Sequence, residues 1–302
     1  IVCTSGSALL NYYPAIAEAF YSNIPLVVIS ADRPKHLIDI GDGQTIRQEN
    51  VFQNHILFSG NLMEGDVKKE FNINLISEAL QTAIYKKGPI HINVPFDEPL
   101  YETVDKLEEF TFPIVIASET KQSVDYLEIA KIWNASTKKM ILVGTHFPNI
   151  VAQNLINHFV TDNSVIILTE ATSNLASENT INSIDKLIFT LSEQEFAELK
   201  PEILLTFGGM VVSKKIKQFL RKHQPTHHWH IDEQKAMNTF HCLSEFIQDK
   251  PAVFLFEFIK ITQKAESKYQ QKWLSVKGKR AKTHQQYLAK IPHSYLKVFE
   301  QV

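Results

Sequence analysis

Cysteine is nearly missing from this chain. Its 302 residues contain only Cys3 and Cys242, far apart and in no CxxC pair. A disulfide framework is therefore not expected, and two reduced thiols in a cytoplasmic protein are the expectation. An excess of one charge sign is missing as well. The formal net charge is −2, so no global field points toward nucleic acid or an anionic membrane. No run approaches the roughly 18 apolar residues that a bilayer-spanning helix needs, so stable membrane insertion is not expected. The patterns GxGxxG, GxxxxGK[ST], GxSxG and HExxH do not occur, which removes the usual signatures of dinucleotide, P-loop, serine-hydrolase and zinc-hydrolase sites. An initiator Met is absent too. The chain opens at Ile1 inside what reads as a buried strand, and a parallel strand at that position needs neighbours on both sides. This predicts an internal piece of a longer protein, part of whose active site lies elsewhere and which is not competent by itself.

What is present reads as α/β. Hydrophobic residues make up 44% and charged residues 21%, as in soluble globular proteins, and the length suggests about two domains. A short apolar strand at 1–4 leads into helical periodicity over 7–21, with Ala8, Ala15, Ile16, Ala19 and Phe20 on one face. The run 25–31 has the continuous apolar character of a strand buried on both faces. A loop over 33–48 follows, punctuated by Pro34, Gly41 and Gly43. Residues 51–59 are ambiguous. A helix is expected over 72–86 with Ile76, Leu80, Ala83 and Ile84 inward, and a strand over 90–94. From 96 to about 120 the periodicity is lost in an acidic, Pro-containing stretch that reads as a linker. Beyond it, strands are expected at 140–144, 165–169, 187–189, 203–207 and 227–232. Helices are expected at 123–134, 148–159, 193–199, 213–220 and 252–261. This alternation is the mark of a doubly wound parallel sheet. The chain thus holds part of one Rossmann-like domain and most or all of a second. Residues 264–290 carry eight basic side chains against Glu266. They read as a solvated helix leading toward a further domain rather than as a polyanion-binding element.

The polar residues of the first half fall just after strand ends, where open α/β sheets bind ligands. Ser5-Gly6 at a helix start could present backbone N–H groups to an anion or a ring edge, or be only a turn and cap. Arg33 follows a strand directly and offers a planar grip on a carboxylate; the alternative is a local ion pair with Asp32. Gln44 lies in the same loop as a neutral donor and acceptor. Lys214 and Lys215 open a helix after Gly208-Gly209, against the helix dipole, which hints at an anionic ligand; two ordinary surface lysines are the plainer alternative. Gly41-Asp42-Gly43 is not read as a metal site; it supplies flexibility to the loop around Gln44. His227, His228 and His230 look like ligands, but nothing is spaced to complete a tetrahedral site, and no metal ligand is assigned.

Together, Cys3-Thr4-Ser5-Gly6, Asn11-Tyr12-Tyr13-Pro14-Ala15, Ala31-Asp32-Arg33-Pro34, Gln44-Thr45-Ile46-Arg47-Gln48 and His91-Ile92-Asn93-Val94-Pro95-Phe96-Asp97-Glu98-Pro99-Leu100-Tyr101 resemble the MenD family. These are the 2-succinyl-5-enolpyruvyl-6-hydroxy-3-cyclohexene-1-carboxylate synthases of menaquinone biosynthesis, within the wider group of thiamine diphosphate enzymes that includes acetolactate synthase. The resemblance is dense over 1–101 and thinner beyond, where Lys214-Lys215 stands in place of the family's Lys-Arg. It implies the C-terminal part of a pyrimidine-binding (PYR) domain at 1–105, a linker at 106–120, a central Rossmann-like domain at 121–263, and a basic helix or linker at 264–302 leading to a diphosphate-binding domain. It implies decarboxylation of 2-oxoglutarate and 1,4-addition of the resulting succinic semialdehyde carbanion to isochorismate. The implied cofactors are thiamine diphosphate with Mg2+ or Mn2+, whose principal ligands lie outside this chain. By matched position, Arg33 and Gln44 become catalytic and substrate-binding residues. Lys214 and Lys215 become substrate-binding residues, and Ser5, Gly6 and Asn11 meet the cofactor. A cytoplasmic homodimer or homotetramer is also implied. Two rivals remain: another thiamine diphosphate 2-oxoacid decarboxylase or acetolactate synthase-like enzyme, and a non-catalytic Rossmann-like nucleotide-binding module.

Overall fold

The structure, a computed structural model, describes residues 1–97, 103, 105 and 125–299. The expected linker at 106–120 and residues 98–101 of the family motif lie outside the described residues. The chain divides into two compact units, Ile1–Glu119 and Thr120–Val302.

In the first unit, β1 (Val2–Cys3) runs into a 3-10 turn over Gly6–Tyr12 and then α1 (Tyr13–Tyr21). The single helix expected over 7–21 is therefore split. Pro14 has no N–H to give to a preceding turn, so it opens a helix instead of continuing one. β2 (Leu26–Asp32), β3 (Phe58–Asn61), α2 (Lys69–Tyr85) and β4 (Pro89–Pro95) complete the unit. All strand pairings are parallel, in the order β1-β2-β4-β3. Ser30 stands opposite Asn93 and Val28 opposite His91. On one face Val28 packs with Leu9, Ile16 of α1, Phe52 and Ile56; on the other Ile90 and Ile92 pack with Ala79 and Ala83 of α2. Ile84, expected inward, is exposed. The buried side of α2 is instead the small-residue stripe Ser77, Ala79 and Ala83. The ambiguous stretch 51–59 becomes a 3-10 turn over Gln53–His55 and the start of β3.

The second unit runs α3 (Tyr126–Ala135), β5 (Lys139–Val143), α4 (Gln153–Val160), β6 (Val165–Leu168), α5 (Ile184–Ile188), α6 (Glu193–Leu199), β7 (Ile203–Phe207), α7 (Lys214–Lys222), β8 (His227–Asp232), β9 (Glu245–Gln248), α8 (Pro251–Ile261), α9 (Tyr269–Lys290) and α10 (Tyr295–Phe299). Its sheet is parallel in the order β6-β5-β7-β8-β9. Successive residues of each strand feed opposite cores. Ile141, Val143, Ile203 and Leu205 meet α3, α4 and α8 through Trp133, Phe159 and Phe258. Met140, Leu142 and Leu204 meet the other layer through Leu187, Phe219 and Trp273. This is the expected α/β, doubly wound architecture.

Three expectations need correction. Residues 187–189 form no strand: Ile184, Leu187 and Ile188 are buried at helical spacing in α5. The short edge strand β9 was not anticipated, because four residues, Glu-Phe-Ile-Gln, carry too little alternation to register. And α9 is no free connector. Trp273 is fully buried in the core. The Gln270 amide donates to the Val160 and Val165 carbonyls at 2.8 and 2.9 Å. Lys272 pairs with Glu198 at 3.0 Å, and Lys277 Nζ donates to the Glu178 and Thr180 carbonyls. Part of the basic stripe is thus spent on fastening the helix to its own unit.

Candidate active site

The C-terminal edge of the first sheet is held by a directed chain of hydrogen bonds. The Gly6 N–H donates to Gln48 Oε1 at 2.7 Å. Because a backbone N–H can only donate, this fixes the orientation of the Gln48 amide. Gln48 Nε2 then donates to the Ala31 carbonyl at 2.9 Å and to Asn93 Oδ1 at 2.8 Å. Asn93 Nδ2 donates to Asp32 Oδ2 at 2.7 Å, and Asp32 Oδ1 accepts the Arg33 N–H at 2.8 Å. Ser30 Oγ donates to Asn93 Oδ1 at 2.8 Å, so its contact with His91 Nε2 at 2.7 Å has the histidine as donor. Burial pulls the His91 pKa down to about 4, and its Nδ1 has no hydrogen-bond partner among the described residues. Both observations keep the ring neutral.

This geometry places the residues expected at the site. Arg33 is half-buried at the end of β2, and Gln44 is exposed. The Asp32 carboxylate accepts the Asn93 amide and the Arg33 backbone N–H. Ser5 is buried. Gly6 has φ +83°, and a Cβ there would meet the Gln44 backbone at 3.1 Å. The turn and the Gln44 loop are therefore in direct contact. The Gly6 N–H is engaged by Gln48, which corrects the idea that this amide is open to a ligand anion. Asn11 is exposed, with its amide 3.3 Å from the Ala8 carbonyl. Gly41-Asp42-Gly43 is an exposed turn in which the Asp42 carbonyl accepts Thr45 Oγ1 at 2.9 Å.

In the second unit, Lys214 and Lys215 open α7, and Lys215 Nζ lies 5.0 Å from the Phe189 ring centre. The unfavourable meeting of lysines and helix dipole is relieved from within the protein. The Glu170 carboxylate accepts the N–H groups of Val212 and Ser213 at 2.8 and 2.6 Å. Ser213 Oγ caps the helix by accepting the Ile216 N–H, and donates to Asp185. The lysines therefore need no external anion to explain them. Beside this helix start, the loops after β5 and β7 close on each other. Gly209 N–H donates to the Thr145 carbonyl at 2.6 Å, and Thr145 N–H returns to the Met210 carbonyl at 3.2 Å. A Cβ at Gly144 would run into the Gly209 carbonyl, so only glycine fits there.

His228 and His230 do share a strand face. Both rings meet Thr206 Oγ1, at 2.9 and 2.8 Å. Burial lowers both pKa values, that of His228 to about 4 with help from His230. They are core histidines. Among the described residues, no group of three or more His, Cys, Asp or Glu side chains could hold a metal ion. A cavity of about 220 Å³ opens at the other end of this sheet, beside His227 and Glu245 at the starts of β8 and β9. It touches none of the residues expected at the site.

Reading the sequence missed Gln48, Asn93, Ser30 and His91. A signal was present: Ser30 and Asp32, and His91 and Asn93, repeat at period two in otherwise apolar strands, so each pair faces one side of the sheet. Buried polar side chains placed this way must satisfy one another.

Residues 1–59 match the family described as the thiamine pyrophosphate enzyme N-terminal TPP binding domain, and residues 118–294 match the middle domain of thiamine pyrophosphate enzymes. The chain is 52% identical, over 99% of its length and 54% of the relative's, to 2-succinyl-5-enolpyruvyl-6-hydroxy-3-cyclohexene-1-carboxylate synthase of Flavobacterium psychrophilum. It is 50% identical to proteins of the same name from Flavobacterium johnsoniae and Christiangramia forsetii, over 100% of this chain and 55% and 56% of theirs. The chain spans about half the length of these curated relatives.

Proposed function

This chain belongs to the thiamine pyrophosphate enzyme family, and on that premise we propose that the full-length protein is a thiamine diphosphate-dependent synthase. It would decarboxylate 2-oxoglutarate and join the remaining four-carbon unit to isochorismate. The observation that carries this reading is the 52% identity to a synthase of that name, running through both units.

The chemistry of the first unit's edge fits the pyrimidine half of the cofactor. Its buried carboxylate, Asp32, is already engaged. Beside it lie the exposed amides of Gln44 and Asn11 and the half-buried side chain of Arg33, neutral or cationic groups suited to a heteroaromatic ring and carboxylates. Ser5, Gly6 and Asn11 are the residues that would hold it. When bound, the cofactor supplies the electron sink for decarboxylation. Mg2+ or Mn2+ would take its principal ligands outside this chain.

Both substrates are dianions, so productive binding needs several cations. Arg33 grips a carboxylate in two-point fashion, and Gln44 orients the bound acid as donor and acceptor. Lys214 and Lys215 are proposed as further substrate-binding residues; Lys215 cannot reproduce the planar fork of an Arg. A cytoplasmic homo-oligomer is part of the proposal, and light scattering checks its size.

The test is to combine purified full-length protein with thiamine diphosphate, Mg2+, 2-oxoglutarate and isochorismate. CO2 release matched by isochorismate consumption supports the reading. CO2 release without it marks a simple 2-oxoacid decarboxylase, and failure to bind the cofactor in calorimetry overturns the assignment.

A further inference from the structure

We propose that Gln48 is a positioning residue, whose buried amide fixes the Ser5-Gly6 turn, the Gln44 backbone and the end of β2 as one body. This rests on the reading of Gln44 and Arg33 as ligand-facing. Gln48 is fully buried and carries no charge to present to a ligand. It approaches three structural segments at once: Gly6, the Ala31 carbonyl at the end of β2, and Asn93 of β4. Through Asn93 and Asp32 the chain of bonds ends at the Arg33 N–H. Through Gly6, whose missing Cβ admits the Gln44 backbone at 3.1 Å, it reaches Gln44.

A second observation is independent of those bonds. Gln44 has φ +57°, a left-handed conformation that is unfavourable for a residue with a long side chain and persists only where its surroundings enforce it. Gly6 on one side and the Gln48 anchor four residues on supply that constraint. The amide is required specifically. Its oxygen must accept from Gly6 and its nitrogen must donate to Ala31 and Asn93, so a carboxylate of the same shape would face two acceptors without a proton. Gln48 therefore acts through Gln44 and Arg33 and touches no reacting atom.

The test compares full-length Gln48→Glu and Gln48→Met with the unmodified protein in two ways. Amide hydrogen exchange on peptides covering Gly6 and 41–48 should accelerate by about tenfold to a hundredfold, as for a lost buried hydrogen bond, while peptides of α2 keep their protection. Unchanged protection at Gly6 in both variants overturns the proposal, and this readout needs no turnover. In a kinetic cycle, Gln48→Glu and Gln44→Ala should each lower kcat/KM about tenfold or more, and the double variant should lose clearly less than the product of the two single losses, the remainder being the part that runs through Arg33. Fully additive losses would mean that Gln48 acts independently of Gln44 and would also overturn it. Absence of product from the unmodified enzyme would count against the proposed reaction, and the exchange data would still decide the role of Gln48.

Discussion

Glu170 accepts the Ser213 backbone N–H at 2.6 Å, and so supplies the negative charge that the first turn of α7 lacks in its own sequence. It accepts Val212 N–H as well. Removing it leaves two donors unsatisfied and Lys214 and Lys215 uncompensated at the positive end of the dipole. Glu170→Ala should therefore destabilise the second unit by about 2 kcal/mol, within the range for hydrogen bonds to charged groups. Glu170→Gln, which keeps one acceptor, should cost less. Urea unfolding checks both, and equal costs would show that the charge and second acceptor are irrelevant.

How much of this was legible in the sequence depends on the range of the cause. Strands 203–207 and 227–232 and helix 193–199 were placed to the residue, since burial on both faces and a Ser192/Glu195 capping box are local signals. Arg33 and Gln44 were visible because they follow a strand end. The twin lysines hinted at an anion, beside the plainer reading as surface lysines, because Glu170 and Asp185, which serve the start of their helix, lie 43 and 28 positions upstream of Ser213. Gln48 was invisible for the same reason. Its partners are at positions 6, 31 and 93, and only the sheet brings them together.

Stability should fall steeply in mild acid. Burial holds His91 and His228 neutral with pKa values near 4, against about 6.5 in an unfolded chain. Their folded pKa values are depressed, so the unfolded state takes up protons first as the pH drops. The associated stability is fully present above about pH 6.5 and is lost as the pH falls toward 4, by roughly 3 kcal/mol for each histidine. Chemical denaturation at several pH values reads this in each unit. His91→Gln should flatten the slope for the first unit alone; an unchanged slope there would show that another group titrates.

Lys139 and Asp162 should respond unequally to removal. Lys139 is fully buried, its Nζ 2.9 Å from Ser164 Oγ, 3.5 Å from Asp162 Oδ2 and 5.2 Å from the Trp133 ring centre. Burial lowers its pKa, and Asp162 works against that shift. Asp162 also accepts Ser164 N–H, Ser164 Oγ and Ala265 N–H. Lys139→Met leaves the carboxylate three donors, whereas Asp162→Ala strands a buried ammonium and frees two backbone donors. The second should cost about 3–5 kcal/mol and the first clearly less. Equal costs in urea denaturation would contradict this asymmetry.

The division of labour between the two units is open to kinetic test in the full-length enzyme. If Arg33 grips a substrate carboxylate as proposed, its loss removes a charge-assisted contact worth on the order of 1.5–3 kcal/mol, or about 10–150-fold in kcat/KM. Arg33→Ala should show that loss, while the Asp32 carboxylate stays held by Asn93 and by a backbone N–H that the substitution leaves in place. Arg33→Lys should recover little, since a point charge cannot make the two-point grip. Lys214 is exposed at the start of α7, where it can add charge without directing bonds. Lys214→Ala should therefore raise KM for isochorismate severalfold, leave kcat near its original value and change KM for 2-oxoglutarate less. Equal rises in both KM values would assign the lysine to general attraction of anions. No change in either would return it to the ordinary surface of the helix.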